Sequence, residues 1–422
     1  MSQKELSTPA SCMDDFDPDS LSAEAATHKI LETITPIQGM EKVSLRTALD
    51  RVLAEDVHSD INVPSHINSA MDGYAVQGTD LPATGTGELQ VVGTVFAGKP
   101  LRATVTSGQC VRIMTGGVLP PGTDTVVIQE RAERLGDSIR IGADTKTGDN
   151  VRQAGEDIAK GDKILDKGTR LTPADLGLIA SLGIGEVMVT RKPRVAFFST
   201  GDELQSIGET LQDGNVFDSN RYTLHGMLTR LGAEIIDMGV IRDDKADLEK
   251  AFNEAASYAD VIITSGGVSV GEADYVKEIL AKLGQVNFWK VAIKPGRPLA
   301  FGKLKNAWFF GLPGNPVSVM VTFYQFVQPA IHKLMTRQYI EPLTTRAVCL
   351  SKLKKRPGRV EYQRGILEKD HTGRLVVHKT GAQGSGILSS MSQANCFIIL
   401  PMASEGVQPG AEVDVQPFFG LV

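Results

Sequence analysis

The side chains in this sequence best suited to chemistry are carboxylates and cations set in short turns that follow apolar runs. The turns are Thr200-Gly-Asp-Glu-Leu204, Arg242-Asp-Asp244, Ser265-Gly-Gly-Val-Ser-Val-Gly-Glu-Ala-Asp274 and Leu312-Pro-Gly-Asn-Pro316. Between the last two lie Lys290, Lys294 and Arg297. The latter pair belongs to Lys294-Pro-Gly-Arg-Pro298, where two prolines stiffen the chain and reduce the freedom its cations lose on binding. If these turns leave strands of one parallel sheet, they gather at its carboxyl edge, where such folds bind ligands. Glu203, Asp243 or Asp244, and Asp274 then share that edge with the cations. A carboxylate about 4 Å from a phosphate charge costs ~1 kcal/mol under water-like screening and ~4 kcal/mol at a partly buried site, so three acids would repel a bare anion. A hard cation between them removes the conflict, because Mg²⁺ takes one or two carboxylates together with phosphate oxygens and waters. The pattern points to a phosphate-bearing ligand held with Mg²⁺. The bland alternatives are surface ion pairs and, for Glu272 and Asp274, acids that complement a helix dipole.

Periodicity predicts the elements that must position these turns. Val261 to Ile263 is a short β-branched run, and Val276, Ile279, Leu280 and Leu283 recur after it at helical spacing, which gives strand, loop, helix. Gly266, Gly267 and Gly271 let that loop turn tightly or approach a ligand, and the helix start favours an anion. From Arg194 onward strands (195–198, 234–240, 287–292, 308–310) alternate with helices (220–231 and a long one beyond Pro316), the rhythm of a parallel doubly wound α/β fold. None of the turns is a dinucleotide GxGxxG or a triphosphate-binding GxxxxGK[ST] loop.

Upstream, residues 20–35 read as a helix stopped by Pro36, with Ala26, Ile30 and Ile34 at i+4 spacing. Leu45, Ala48, Leu49, Val52 and Leu53 predict a second, amphipathic helix. Residues 62–74 are loop-like, and short strands broken by Gly and Pro follow as far as about Arg140, with Asp72-Gly73 a ready hairpin turn and Thr115-Gly-Gly117 a turn after a strand. Thr172-Pro-Ala-Asp175 opens a helix with a capping box. Its apolar face (Leu176, Ile179, Ala180) matches the 45–53 stripe, so the two pack together and the β-rich lobe between them is an insertion. Beyond about Gln338, short strands predict a terminal β domain.

Composition narrows the class. A chain of 422 residues suggests about three domains. No apolar run is long enough to cross a bilayer, and residues 1–20 lack the features of a secretory signal, so the expectation is a disordered lead on a cytoplasmic protein. Cys12, Cys110, Cys349 and Cys396 are widely separated and form no C-x-x-C pair, which argues against a zinc ribbon, a redox motif or a disulfide framework. A net charge of -6 disfavours a nucleic-acid binder.

Seven motifs in order closely resemble the molybdopterin molybdenumtransferase family, that of bacterial MoeA and the gephyrin E domain: Ser69-Ala-Met-Asp-Gly-Tyr-Ala75, Ile113-Met-Thr-Gly116, Gly155-Glu-Asp157, the turns at 200–204 and 265–274, Lys294-Pro-Gly-Arg-Pro298 and Pro313-Gly-Asn-Pro316. The resemblance runs from about residue 20 to the C-terminus. With the residue patterns it implies an α/β protein with β-rich domains: a disordered lead 1–19, an N-terminal helix plus elongated linker domain (20–58 and 152–182), an inserted β-rich domain 59–151, a doubly wound molybdopterin-binding α/β domain 183–338 and a C-terminal β-barrel domain 339–422.

It also implies a homodimeric transferase of molybdenum cofactor biosynthesis that acts on adenylylated molybdopterin and molybdate with Mg²⁺ and releases AMP. Other proteins of that biosynthesis are candidate partners. By the same resemblance, Asp274 and Glu203 hold Mg²⁺ or orient the pyrophosphate, with Asp243 a third acid. Lys290, Lys294 and Arg297 bind the pterin phosphate or molybdate, and Ser265, Gly266, Gly267 and Ser269 form the pterin loop. Pro313 and Pro316 shape the substrate loop. Asp72, Thr115 and Asp157 lie in the lobe that faces the partner chain's α/β cleft, which turns Asp72 from a hairpin residue into a site residue. No protein cysteine is needed, since the sulfur ligands belong to the substrate, and Gly117 stands where an alanine is common. Two other readings are a molybdopterin adenylyltransferase, which needs only the α/β domain, and a non-enzymatic scaffold of the gephyrin type, which would not need the acids and lysines.

Overall fold

A computed structural model describes residues 19–267, 274–336 and 341–418. The chain divides into two compact units, one of Met1–Met40 with Thr190–Val422 and one of Glu41–Val189.

In the first unit a six-stranded sheet runs in the order Glu234–Ile241, Arg194–Thr200, Val261–Ser265, Ala307–Leu312, Pro298–Leu304, Gly284–Lys290. The first four strands are parallel. Alternate side chains divide between two cores: Val195, Phe197, Val261 and Ile263 on one face, Ala196, Phe198, Ile262 and Phe309 on the other. Helices Ser219–Arg230 and Pro316–Thr322 cover the first face; Lys245–Tyr258 and Asp274–Leu283 cover the second. The parallel doubly wound pattern read from the sequence holds for five of the six strands, and the sixth was not read as a strand. Pro298–Leu304 is an antiparallel strand between Ala307–Leu312 and Gly284–Lys290, so the sheet is mixed. The run of prolines and glycine before it masked its strand character. Gly284–Lys290 still points the same way as the parallel strands, and Lys290 ends at the same edge.

Five strands close into a barrel: Val360–Lys369, Leu375–Lys379, Thr345–Cys349, Glu412–Pro417 and Cys396–Leu400, which pairs back to Val360–Lys369. Ile293–Lys294 adds to this barrel in parallel, with Lys294 opposite Glu361, and thereby joins the α/β sheet to it. The first helix, Ala23–Thr33, was grouped by sequence with the linker domain. It packs instead in the first unit, with Ala23, Ala26 and Ile30 buried beside Phe323 and Val327.

The second unit holds a six-stranded sheet, in the order Thr125–Ile128, Gly73–Val76, Gln109–Ile113, Thr86–Val95, Ser138–Gly142, Ala132–Leu135. A separate core joins Ala48, Leu53 and Val57 to Ile158, Leu171, Ile179 and Val189, residues from either side of that sheet in sequence, as an insertion requires. The expected capping box is present, with Thr172 and Asp175 bonded reciprocally. The expected helix over 45–53 is not. Only a 3₁₀ turn, Leu45–Thr47, forms; Asp50 has φ 63°, and Val52 and Leu53 bridge to Arg170 and Val189. Ala48 and Leu53 of the stripe are buried in one core with Ile179 of the 173–181 helix, but Leu49 is exposed and the backbone is not helical, because pairing with distant segments replaced local helical bonds. The hairpin at Asp72-Gly73 is also corrected: Gly73 opens a strand flanked by Ile113 and Ile128, and a Cβ there would meet the Val127 carbonyl at 2.1 Å.

Candidate functional site

All the turns singled out in the sequence leave parallel strands at one edge of the sheet: 200–204 after Arg194–Thr200, 242–244 after Glu234–Ile241, 265–267 after Val261–Ser265, and 312–316 after Ala307–Leu312. They border a cavity of about 1150 Å³. Gly266 and Gly267 have φ of +94° and +67°, and a Cβ on Gly266 would stand 2.5 Å from the Thr200 carbonyl, so only glycine lets this loop lie against the neighbouring strand end. Asn220, on the first turn of Ser219–Arg230, ties two loops together: its Nδ2 donates to Ser265 Oγ at 2.8 Å and to the Gly314 carbonyl at 2.6 Å. The Asp243 amide donates to Asp202 Oδ1 at 3.3 Å, which links the 200–204 and 242–244 turns.

The cavity brings together Glu203, Asp243, Ser265, Gly266, Gly267, Lys294, Arg297 and Pro313. Lys290 pairs with Pro298 at the foot of the proline loop, and Pro316 starts the helix Pro316–Thr322; neither lines the cavity. Ser269, Gly271 and Glu272 lie outside the described residues, and so does the side chain of Asp274, whose backbone opens the helix Asp274–Leu283. Among the described residues no three His, Cys, Asp or Glu side chains converge on one point. Glu203 and Asp243 nonetheless line one space and are hard oxygen donors of the kind Mg²⁺ takes, so the donor set fits that ion.

Asp72, Thr115 and Asp157 are on the second unit. The Thr115 amide and hydroxyl both donate to Asp72 Oδ1 at 2.7 Å, and these bonds hold the exposed Asp72 carboxyl below the usual carboxylate range. Asp157 is exposed in the turn whose amides reach the Val63 and Pro64 carbonyls.

Sequence reasoning missed the opposite wall. The barrel contributes Lys354, Lys355, Arg356, Arg359, Arg364, Glu361, Gln383 and Ser385. Lys355 is 8% exposed and its Nζ donates to the carbonyls of Arg356, Met402 and Ser404, so its charge pins the loop. Arg364 is 1% exposed; Nε donates to Ser390 Oγ and Nη2 to the Gly384 carbonyl, both at 3.0 Å. Burial pushes its guanidinium down to about 10, which leaves it cationic at neutral pH. Lys294 Nζ stands 3.3 Å from the buried Glu361, which also accepts from Gln363 Nε2. The signal that could have found this wall is Lys354-Lys-Arg-Pro-Gly-Arg359, a second cationic loop braced by Pro and Gly.

Three family models match consecutive stretches of the chain: "MoeA N-terminal region (domain I and II)" over residues 21–183, "Probable molybdopterin binding domain" over 196–333, and "MoeA C-terminal region (domain IV)" over 346–418. The chain is 48% identical to the molybdopterin molybdenumtransferase of Haemophilus influenzae, over 95% of this chain and 100% of that protein.

The chain belongs to the MoeA family.

Another relative, the molybdopterin molybdenumtransferase of a Nostoc species, is 37% identical over 89% of this chain and 88% of its own. The crystal structure of the MoeA protein of Pyrococcus horikoshii superposes with a TM-score of 0.82 at 31% identity, covering 94% of this chain and 100% of that one. The MoeA matches thus span both units, the sheet edge and the barrel. Dictyostelium discoideum gephyrin is 34% identical, but the match covers 59% of that longer protein.

Proposed function

We propose that this chain is a transferase of molybdenum cofactor biosynthesis: it inserts molybdenum from molybdate into adenylylated molybdopterin, with Mg²⁺, and releases AMP. The observation that carries this reading is the polarity of the cavity. Acids from two sheet-edge turns face one space with cations from the barrel, and a ligand with a metal-bridged pyrophosphate and free anionic oxygens matches that pattern. Glu203 and Asp243, with Asp274, would hold Mg²⁺, which when bound supplies charge neutralisation at the pyrophosphate. Lys294, Arg297 and Arg364 hold the anionic oxygens and stabilise charge that gathers on the departing phosphate. Ser265, Gly266 and Gly267, fixed by Asn220 and by the packing against Thr200, offer a rigid backbone for close approach of the pterin.

The reading includes a homodimer in which Asp72, Thr115 and Asp157 of one chain complete the cleft of the other, and a cytoplasmic location. Among the described residues no helix is long and apolar enough to cross a membrane. The test is to supply adenylylated molybdopterin, Mg²⁺ and molybdate and to measure AMP release. Release should depend on molybdate and fall by about 100-fold or more in Asp274→Asn. Release indifferent to molybdate or to that substitution, or ATP consumption with molybdopterin alone, would overturn the reading.

A further inference from the structure

Most of the side chains that line the described walls of the cavity are polar or charged. No aromatic side chain lines them, and Leu204 is their sole aliphatic side chain apart from prolines. Sites that hold a flat heterocycle combine a few polar groups with apolar lining, and an apolar face beside these walls would add to it.

The chain leaving Leu204 carries one. Leu204–Gln205 pairs in parallel with Val216–Phe217, which draws the ends of the intervening segment together as in a compact surface loop. The loop is packed on itself through Gln205, 9% exposed, whose Nε2 donates to the Thr210 carbonyl and whose Oε1 accepts from the Gln212 amide. Leu204 and Val216 are register partners, so their side chains share one face of the ladder, and Leu204 lines the cavity. Val216 is 52% exposed, Ile207 57% and Leu211 46%. Several exposed apolar side chains on one short loop make it a candidate binding surface. Gly208 and Gly214, with φ of +91° and +86°, bracket the tip of the loop and give it turning points that other residues rarely adopt.

We propose that the 204–216 loop is the apolar cover of this site, and that Leu204, Ile207, Leu211 and Val216 close on the face of a fused nitrogen heterocycle while the cations hold its phosphate end. This rests on the reading above that the substrate brings such rings, pterin at one end and adenine at the other. Both offer the same flat chemistry, and the experiment separates them.

The full-length protein is titrated with free pterin, followed by its own fluorescence, and with AMP and inorganic molybdate, followed by calorimetry. The double substitution Leu211→Ser, Val216→Ser should weaken one ring probe about tenfold or more and leave molybdate affinity within about twofold. Weakened pterin assigns the loop to the pterin, and weakened AMP assigns it to the adenine. In the unsubstituted protein, amides 206–215 should gain hydrogen-exchange protection with that ring probe and none with molybdate, a measurement that stands even if the variant folds poorly. The proposal falls if both rings bind the variant unchanged, if molybdate affinity drops in step with them, or if sedimentation shows a changed association state with ring affinity intact. Absence of molybdate-dependent AMP release alongside ring protection would break the functional reading alone. AMP release with an indifferent loop would break this one alone.

Discussion

The sheet-edge wall of the cavity sets Asp202, Glu203 and Asp243 against Lys294 and Arg297, whereas the barrel wall sets Lys354, Lys355, Arg356, Arg359 and Arg364 against Glu361 alone. The first is acidic, the second strongly basic, and they face the same space. The two also hold their charges differently. At the sheet edge the acids ride on turns at the strand ends, where the Asp243 amide donates to Asp202, and Gly266, Gly267 and the Asn220 amide fix the loops beside them. On the barrel, Arg364 is drawn into the protein, where it donates to a carbonyl and a hydroxyl. Burying a guanidinium this way works against folding, since hydrogen bonds to neutral groups only partly replace its hydration. In the proposed function the acidic wall is the one that would meet a cation and the basic wall the one that would meet an anion.

The largest effect that would break this comparison lies on the acidic wall. Glu203→Gln removes a charge without removing bulk, and AMP release should fall by about 100-fold or more, with the Mg²⁺ concentration needed for half-activity rising. Steady-state kinetics at several Mg²⁺ concentrations check this; a variant with normal Mg²⁺ dependence would mean that Glu203 does not act through a metal. The counterpart on the basic wall is Arg364→Met. If Arg364 is kept for a ligand rather than for the fold, thermal stability should change by less than about 1 kcal/mol while molybdate affinity falls about tenfold or more. A large stability loss would show that the barrel wall is structural.

The far end of a site strand provides a contrast in which charge serves stability. Asp260 precedes Val261–Ser265 and accepts two bonds from Arg191 at 2.7 Å and one from the Arg194 amide at 2.8 Å. Desolvation works to raise its carboxyl, but the Arg191 and Arg194 bonds prevail and hold it below the usual range. A depressed folded-state value stabilises the fold fully above the unfolded value of about 3.9 and ceases to do so as pH falls through the folded value beneath it. Asp260→Asn should therefore lower stability by about 2 kcal/mol at pH 7, and the gap to wild type should close in that acid window, as denaturant melts across pH will show.

How much of this was legible in the sequence follows from how each wall is made. The sheet edge was readable because each turn sits directly behind a short, largely apolar run, so a local pattern specifies a three-dimensional place. The capping box at Thr172 and Asp175 was readable for the same reason. The barrel wall was not, because Lys354, Glu361, Arg364 and Gln383 reach the cavity only through barrel closure and the pairing of Lys294 with Glu361, contacts between segments distant in sequence. The failed helix over 45–53 teaches the complementary point. Its periodicity picked out Ala48, Val52 and Leu53, which are buried, and Leu49, which is not. Val52 and Leu53 satisfied their backbone groups with distant segments at Arg170 and Val189 instead of with their neighbours.

The smallest effect sharpens the comparison most, because it changes the sign of one group where the walls meet. Glu361 is the lone acid among the barrel residues that line the cavity, 6% exposed, bonded to Gln363 and facing Lys294 at 3.3 Å. Lys294 is about half exposed, so this pair adds little to stability, about 1 kcal/mol or less. Its effect is on the field: the carboxylate offsets one of the cations that an anion meets. Glu361→Gln keeps the shape and can still accept from Gln363, so the fold should hold. Inorganic molybdate should then bind a few-fold more tightly at low salt, with the gain shrinking as ionic strength rises. Weaker molybdate binding would mean that Lys294 needs Glu361 to point it at the ligand, and that the acid belongs functionally to the sheet-edge wall and not to the barrel.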